Sequence, residues 1–386
     1  MKARIEDRVV YSPHPNIEIP VCSFYTLAKQ LLQKNPDKLA LVDERLSLTR
    51  RELLAHLERY AVGFRRHGVM PGDRVCVHVT NSVENLVAMY SCVLAGATIL
   101  MAKASLTEYE LRYQLEDSDS THVLTDVQFT EKVAKACSSL KLKGLFSMGP
   151  AANFVSVTDF SALDERDFRE SPVVDPKTTV MAVSYTSGST GLPKGAEITH
   201  YNFVGCFYTC REHLPWSEND VEFCVNPITH MSGLVATLMP ALNGATCAVA
   251  SSTMTQLEVI EAIDKYKATT MLTFPSNLHN LVREMRRTGR HLPSMKHIVV
   301  AGTVLTEWLS DAARSTFENL RTLQNLYGLT EACILVTAQP KDADITTRGN
   351  DVGVPAVTVA FKVVDVVTRE KLGPNQMGEI CFEMRA

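Results

Sequence analysis

Short β-rich apolar runs alternate with segments of helical period along most of this chain, and that alternation restricts the fold more than any other feature. "SLTRRELLAHLERYAVGFRRHG" opens with a capping box, Thr49 to Glu52, and closes on Gly68; Leu53, Leu57, Ala61 and Phe64 recur at helical spacing. "DRVCVHV" then alternates as a strand. A second capping box, Thr107 to Glu110, starts the helical "EYELRYQLEDS", and the strand-like "THVLTD" follows. "TTVMAVSYT", "DVEFCVNP", "ATCAVAS", "ATTMLTF" and "KHIVVAG" read as further strands. "GLVATLMPALN", "QLEVIEAIDKY" and "TEWLSDAARSTF" read as the helices between them. Strands alternating with helices imply parallel sheets covered on both faces. Residues 145–177 lack a long periodic stretch and are expected to form a surface connection. From about Thr337 strands and turns without a helix suggest a small β-rich unit.

Leu86 to Ala102 is an uncharged run of 17 residues. Ser91, Gly96 and Thr98 interrupt it, so it predicts a helix ending near Ala95–Gly96 and then a buried strand, with no transmembrane segment. The net charge of -4 gives no global basic field for nucleic acid. The basic stretch Arg283 to Lys296 is read as solvation of a helix C-terminus ending at Gly289. Ten cysteines without zinc spacing suit reduced, buried thiols. The charged start "MKARIEDRVV" does not fit a secretory signal. A cytoplasmic location is expected, or a peroxisomal one for a longer parent chain.

One stretch carries chemistry. "SYTSGSTGLPKGAEITH" packs three glycines, three Ser/Thr and one lysine into Ser187–Gly195. Glycines let the backbone approach an anion, hydroxyls add donors, and Lys194 adds charge. Gly188 and Gly191 are three apart, Lys194 lies three further on, and Gly195 stands where a Walker loop has Ser/Thr. "GAEITH" reads as a short strand with the helix starting nearer His200, which excludes a dinucleotide fingerprint.

Together with "GDRVCVHVTNSVE", "SCVLAGA", "NPITHMSGL", "VVAGTVL", "NLYGLTEA" and "GPNQMGEICF" in that order, "YTSGSTGLPKG" resembles the acyl-adenylate-forming superfamily. That superfamily includes acyl-CoA synthetases, 4-coumarate–CoA ligases, firefly luciferases and peptide-synthetase adenylation domains. The resemblance runs from about residue 20 to the end. It implies two doubly wound α/β subdomains packed face to face plus part of a β-barrel. The expected division is about 60–205 for one subdomain, 20–59 with 206–338 for the other, and 339–386 for the barrel part. It also implies that this is the large N-terminal domain, with a small C-terminal domain and its lysine expected beyond Ala386.

The resemblance implies activation of a fatty or aryl acid by ATP to an acyl-adenylate, followed by thioester formation with coenzyme A. Thr186, Ser187, Gly188, Ser189, Thr190, Gly191 and Lys194 would hold the β- and γ-phosphates. Gly302, Thr303, Val304, Asn325, Leu326, Tyr327 and Gly328 would border the nucleotide, with Tyr327 against adenine. Thr330 would approach the α-phosphate. Glu331 and the Thr186 hydroxyl would hold Mg²⁺. His230 would border the acyl carboxylate, and Met231, Ser232, Gly233, Ala301 and Gly302 the acyl tail. Amino-acid-activating members place an aspartate at the His230 position to pair with the substrate ammonium, so a substrate without an α-amine is expected. "AGTVL" and "NLYG" depart from the commoner "GGAPL" and "QGYG" of the family. Ala301 would narrow the acyl pocket, and "NLYG" weakens assignment to the luciferase or coumarate branch. An amino-acid adenylation domain and a non-catalytic nucleotide- or acyl-binding module are the alternatives.

Overall fold

A computed structural model of the chain describes residues 2–186, 191–341 and 350–384. The chain is α/β, with parallel sheets flanked by helices, and divides into two compact units. The larger comprises Val21–Val204 and Ser217–Met254; the smaller comprises Met1–Pro20, Gly205–Trp216 and Thr255–Ala386.

In the larger unit, seven strands form a sheet in the order Lys194–Thr199, Val180–Thr186, Thr98–Met101, Arg74–His78, His122–Thr125, Gly144–Ser147, Val155–Ser156. All neighbours are parallel except the first pair. Val221–Cys224, Thr246–Val249 and Leu39–Val42 also run parallel, and Ser47–Thr49 closes against the last of them as an antiparallel edge. In the smaller unit, Thr270–Thr273, His297–Val300 and Thr322–Tyr327 are parallel, and Thr337–Ala338 turns back antiparallel.

Local signals place the helices well. The helix Arg50–Arg66 carries the Thr49/Glu52 capping box, and Glu108–Asp117 carries that of Thr107/Glu110. The run from Leu86 splits into helix Val83–Leu94 and the strand Thr98–Met101, with Gly96 at φ +101 between them. Among the described residues, no helix is long and apolar enough to cross a membrane. The helix Pro275–Thr288 ends on Gly289 at φ +65. The arginines around that end have local partners: Arg286 reaches the Ala312 carbonyl, Arg287 pairs with Glu284, and Arg290 with Glu261. Among the described residues no cysteine pair forms a disulfide, and eight of the ten thiols are buried.

Two segments differ from expectation. Residues 145–177 are not a surface connection throughout. Gly144–Ser147 and Val155–Ser156 extend the seven-stranded sheet, and Phe160 is 3% exposed. A Cβ at Gly63 would lie 2.3 Å from the Phe160 ring, so glycine there lets the ring pack on helix Arg50–Arg66. Elements of two to four residues are too short to show a period. The charged N-terminus also folds: Arg4–Glu6 and Val9–Tyr11 pair antiparallel, and Val9–Tyr11 joins Val359–Val364 and then Glu379–Met384. Its turn residues, Asp7 and Arg8, both have positive φ. That is the geometry of a two-residue hairpin turn, but Asp-Arg is not a composition that announces one.

Burial sets a pH dependence. It pushes the imidazoles of His78, His200, His213 and His230 from the ordinary 6.5 down to about 4. Folded, they stay neutral; unfolded, they take up protons as pH falls below about 6.5. Their contribution to stability is therefore complete above that value and lost as pH falls toward 4. Urea midpoints are expected to drop progressively between pH 7 and 4.5; an unchanged midpoint would contradict these burial effects.

Candidate active site

In open α/β sheets, ligands collect at the carboxyl ends of parallel strands. In the larger unit, Val180–Thr186 runs parallel to Thr98–Met101 and carries the glycine-rich loop at its carboxyl end. Lys194–Thr199 returns antiparallel, and the register pairs Thr186 with Lys194. A half-buried hydroxyl and an exposed ammonium thus stand side by side at the loop's two ends. Ser187, Gly188, Ser189 and Thr190 lie outside the described residues. Gly191 has φ +87 with open space around it, a conformation glycine adopts without strain.

Both stems of the loop are tied to one helix. Tyr185 donates its hydroxyl to Asp117 Oδ2 at 2.5 Å, and Tyr113 donates to the Pro193 carbonyl at 2.9 Å. Tyr113 and Asp117 are four residues apart on Glu108–Asp117, hence on one helix face. Burial, reinforced by the Asp117 bond, pushes the Tyr185 phenol well above its ordinary value, so it remains a neutral donor. Tyr113→Phe removes one stem anchor. A single hydrogen bond is worth about 1 kcal/mol, so a rise of about fivefold in KM for ATP is expected, with KM for the acid unchanged. Equal changes in both constants would contradict a role specific to the loop.

His230 caps the N-terminus of helix Met231–Leu242, after the strand Val221–Cys224. Its Nδ1 accepts from the Ser232 backbone N–H at 3.2 Å and lies 2.8 Å from Ser232 Oγ. An Nδ1 that accepts leaves the proton of a neutral ring on Nε2. Burial, and behind it the Lys103 ammonium, holds the ring neutral. The proton of this neutral ring is therefore on Nε2. Met231 and Ser232 are 2% and 3% exposed. A Cβ on Gly233 would come within 2.0 Å of the Pro227 carbonyl oxygen, so this glycine lets the helix press against the preceding loop.

In the smaller unit, His297–Val300 leads to Ala301, Gly302, Thr303 and Val304. Ala301 is half-buried and the next three are exposed. Gly302 has φ +94, and a Cβ there would lie 2.7 Å from the Phe274 ring. Thr322–Tyr327 leads to the turn Gly328–Glu331. Asn325 and Leu326 are buried, and Asn325 Nδ2 donates to the Asp351 carbonyl at 3.1 Å. Tyr327 is 38% exposed, Thr330 half-buried and Glu331 exposed.

The turn is strained where sequence reasoning saw nothing. Cys333 and Ile334 have φ +48 and +88, the second in a β-branched residue. Their conformation brings the Ile334 carbonyl over Gly328. Tyr113 and Asp117 were also missed, since a Tyr and an Asp four apart are a weak signal on any helix.

Thr186 in the larger unit and Glu331 in the smaller each offer a hard oxygen atom, the kind of donor magnesium takes. Among the described residues there is no group of three or more His, Cys, Asp or Glu able to hold a metal by itself.

A family described as AMP-binding enzyme matches residues 28–385. 4-Coumarate–CoA ligase 1 of Petroselinum crispum is 27% identical over 393 residues, covering 98% of this chain and 70% of the relative. A long-chain-fatty-acid–CoA ligase from Archaeoglobus fulgidus superposes with a TM-score of 0.88 at 23% identity, over 96% of this chain and 76% of the other. A luciferase-like enzyme from the nonluminescent mealworm Zophobas morio gives 0.85 at 20% identity, over 96% and 87%. At those identities the two structures speak for the fold alone.

Proposed function

Because the chain belongs to the AMP-binding enzyme family, we propose that it uses ATP to activate a fatty or aryl carboxylic acid as its acyl-adenylate, for transfer to the thiol of coenzyme A. The observation that carries this reading is the loop between Thr186 and Lys194, which sets a hydroxyl beside an ammonium at the carboxyl end of a parallel strand.

A carboxylate oxygen attacks the α-phosphorus, the bond to the bridging oxygen breaks, and pyrophosphate leaves. In the second step the thiol sulfur attacks the acyl carbon and AMP leaves. Lys194 holds the charge of the departing pyrophosphate. Tyr327 lies against adenine, with Gly302, Thr303 and Val304 bordering the nucleotide. Thr330 donates to the α-phosphate. His230 donates from Nε2 to the acid carboxylate and orients it. A neutral imidazole offers no anion to an α-ammonium, which favours acids over amino acids. Bound magnesium would neutralise phosphate charge, held by Glu331 and the Thr186 hydroxyl. Thiols without disulfides favour a reducing compartment, cytoplasmic or peroxisomal.

Calorimetry with Mg-ATP tests the nucleotide half. The wild type is expected to bind, with weaker binding by Lys194→Ala and weaker still by Glu331→Ala. Identical affinities for all three would reject the site. Activation of free amino acids in place of fatty or aryl acids would instead favour an amino-acid adenylation domain.

A further inference from the structure

The loop carrying His230 has a support, Asn81, that lies within the block "GDRVCVHVTNSVE" but has no role assigned by the resemblance. We infer that Asn81 is a positioning residue that holds the loop Asn226–His230, and with it the His230 ring, in place for the acid. The inference rests on the proposed acid-side role of His230, while the bonding that supports it stands independently.

Asn81 follows the strand Arg74–His78 and precedes Ser82, the N-cap of helix Val83–Leu94. Its carboxamide is used from both ends. Nδ2 donates to the Asn226 carbonyl at 2.9 Å and to the Ala250 carbonyl at 2.9 Å, while Oδ1 accepts from the Ile228 N–H at 3.0 Å. Two carbonyls and one N–H leave only one orientation for the amide. One side chain therefore bridges segments that follow three different strands, across sequence separations of 145 to 169 residues.

The base under Asn81 is rigid. Thr80 donates through its N–H and its hydroxyl to Asp126 Oδ2, at 2.8 and 2.7 Å, and Asn85 donates to Asp126 Oδ1 at 2.8 Å. The Val83 N–H is held by Asp43 Oδ2 at 2.7 Å. The loop above is gripped from its other side. The His230 N–H donates to the Pro227 carbonyl at 3.0 Å, and Gly233 lets the helix pack onto that carbonyl. Residues 226–228 thus lie between the Asn81 amide and the start of Met231–Leu242. Alanine at position 81 leaves two carbonyls and one N–H without those partners and frees the loop from below.

Histidine-selective NMR reads this directly. In the wild type, burial is expected to hold the His230 midpoint at about 4, and likewise that of His200, whose Nδ1 accepts from the Phe24 N–H at 3.1 Å elsewhere in the same unit. In Asn81→Ala the His230 midpoint is expected to rise by about one unit or more toward its ordinary value, as the ring gains water, with Lys103 still beside it. His200 is expected to stay. An unmoved His230, or both histidines moving together as in general loosening, would overturn the inference. Asn81→Ser, which cannot bridge three groups, gives the same reading should the alanine variant not fold. In the wild type the Ile228 amide is expected to exchange slowly; exchange at the rate of an unstructured peptide would overturn the inference without any variant. In acid-dependent exchange of labelled pyrophosphate into ATP, with the best accepted acid, KM for the acid is expected to rise about tenfold in Asn81→Ala with KM for ATP unchanged. No exchange in the wild type would count against the ligase reading, and the NMR result would still decide the role of Asn81.

Discussion

Replacing Gly328 by alanine is expected to cost about 3 kcal/mol or more, at or beyond the upper end for overpacking, and to abolish measurable Mg-ATP binding. An alanine Cβ would sit 1.0 Å from the Ile334 carbonyl oxygen and 2.2 Å from its carbon. Both are backbone atoms, so no side-chain rotation relieves the clash. The surrounding hairpin resists movement: Leu326 pairs with Ala338 and Tyr327 with Thr337, the Val336 N–H donates to the Tyr327 carbonyl at 3.0 Å, and the Ile334 N–H to the Leu329 carbonyl at 2.9 Å. Its positive φ angles at Cys333 and Ile334 leave little further slack. Opening the turn displaces Tyr327 on one side and Glu331 on the other. Gly68→Ala is the control, since its φ is +93 but nothing lies within 4 Å of the added carbon. It is expected to cost about 1 kcal/mol from backbone conformation alone. Thermal melts separate the two variants; equal losses would show that the close approach of Ile334 does not matter.

Glu331→Gln is expected to act on rate and leave stability unchanged. The side chain is exposed at the start of the short helical turn Thr330–Ala332, so an isosteric amide should leave the melting temperature within about a degree. What it removes is a charge proposed to hold magnesium against developing phosphate charge. Loss of one such electrostatic stabiliser lowers rates about 10²–10³-fold. Excess magnesium is expected to restore part of the rate. A variant with full activity, or one that loses activity only by unfolding, would contradict the assignment.

The sequence was most legible where structure is decided locally. The Thr49/Glu52 and Thr107/Glu110 boxes place helix starts because each needs only a hydroxyl and a carboxylate three residues apart. The segment after Val180–Thr186 reads as strand, loop, strand because "GAEITH" carries a short strand before a helix begins nearer His200, and Lys194–Thr199 is a strand. Long-range contacts were not legible. Nothing near Val9–Tyr11 signals pairing with Val359–Val364, some 350 residues away. Phe160 packing on Gly63 depends on a ring arriving from another part of the chain. At the candidate site, order and spacing singled out the loop and the Tyr327–Glu331 turn. Tyr113 and Asp117, which hold the loop stems, carry no motif of their own, and Asn81, which holds the loop Asn226–His230, lies inside "GDRVCVHVTNSVE" with nothing in that block to mark its bonds. Their roles arise from distances of 2.5 to 3.0 Å that only the folded chain creates.

Acid-dependent exchange of labelled pyrophosphate into ATP tests the central claim most directly, because it reports the reversible formation of an acyl-adenylate and nothing else in the proposed sequence. With magnesium and a panel of fatty and aryl acids, exchange is expected with at least one acid, to vanish without acid, and to fall about 10²–10³-fold in Glu331→Gln. No exchange with any acid in the panel, or exchange that is indifferent to Glu331, would contradict the account.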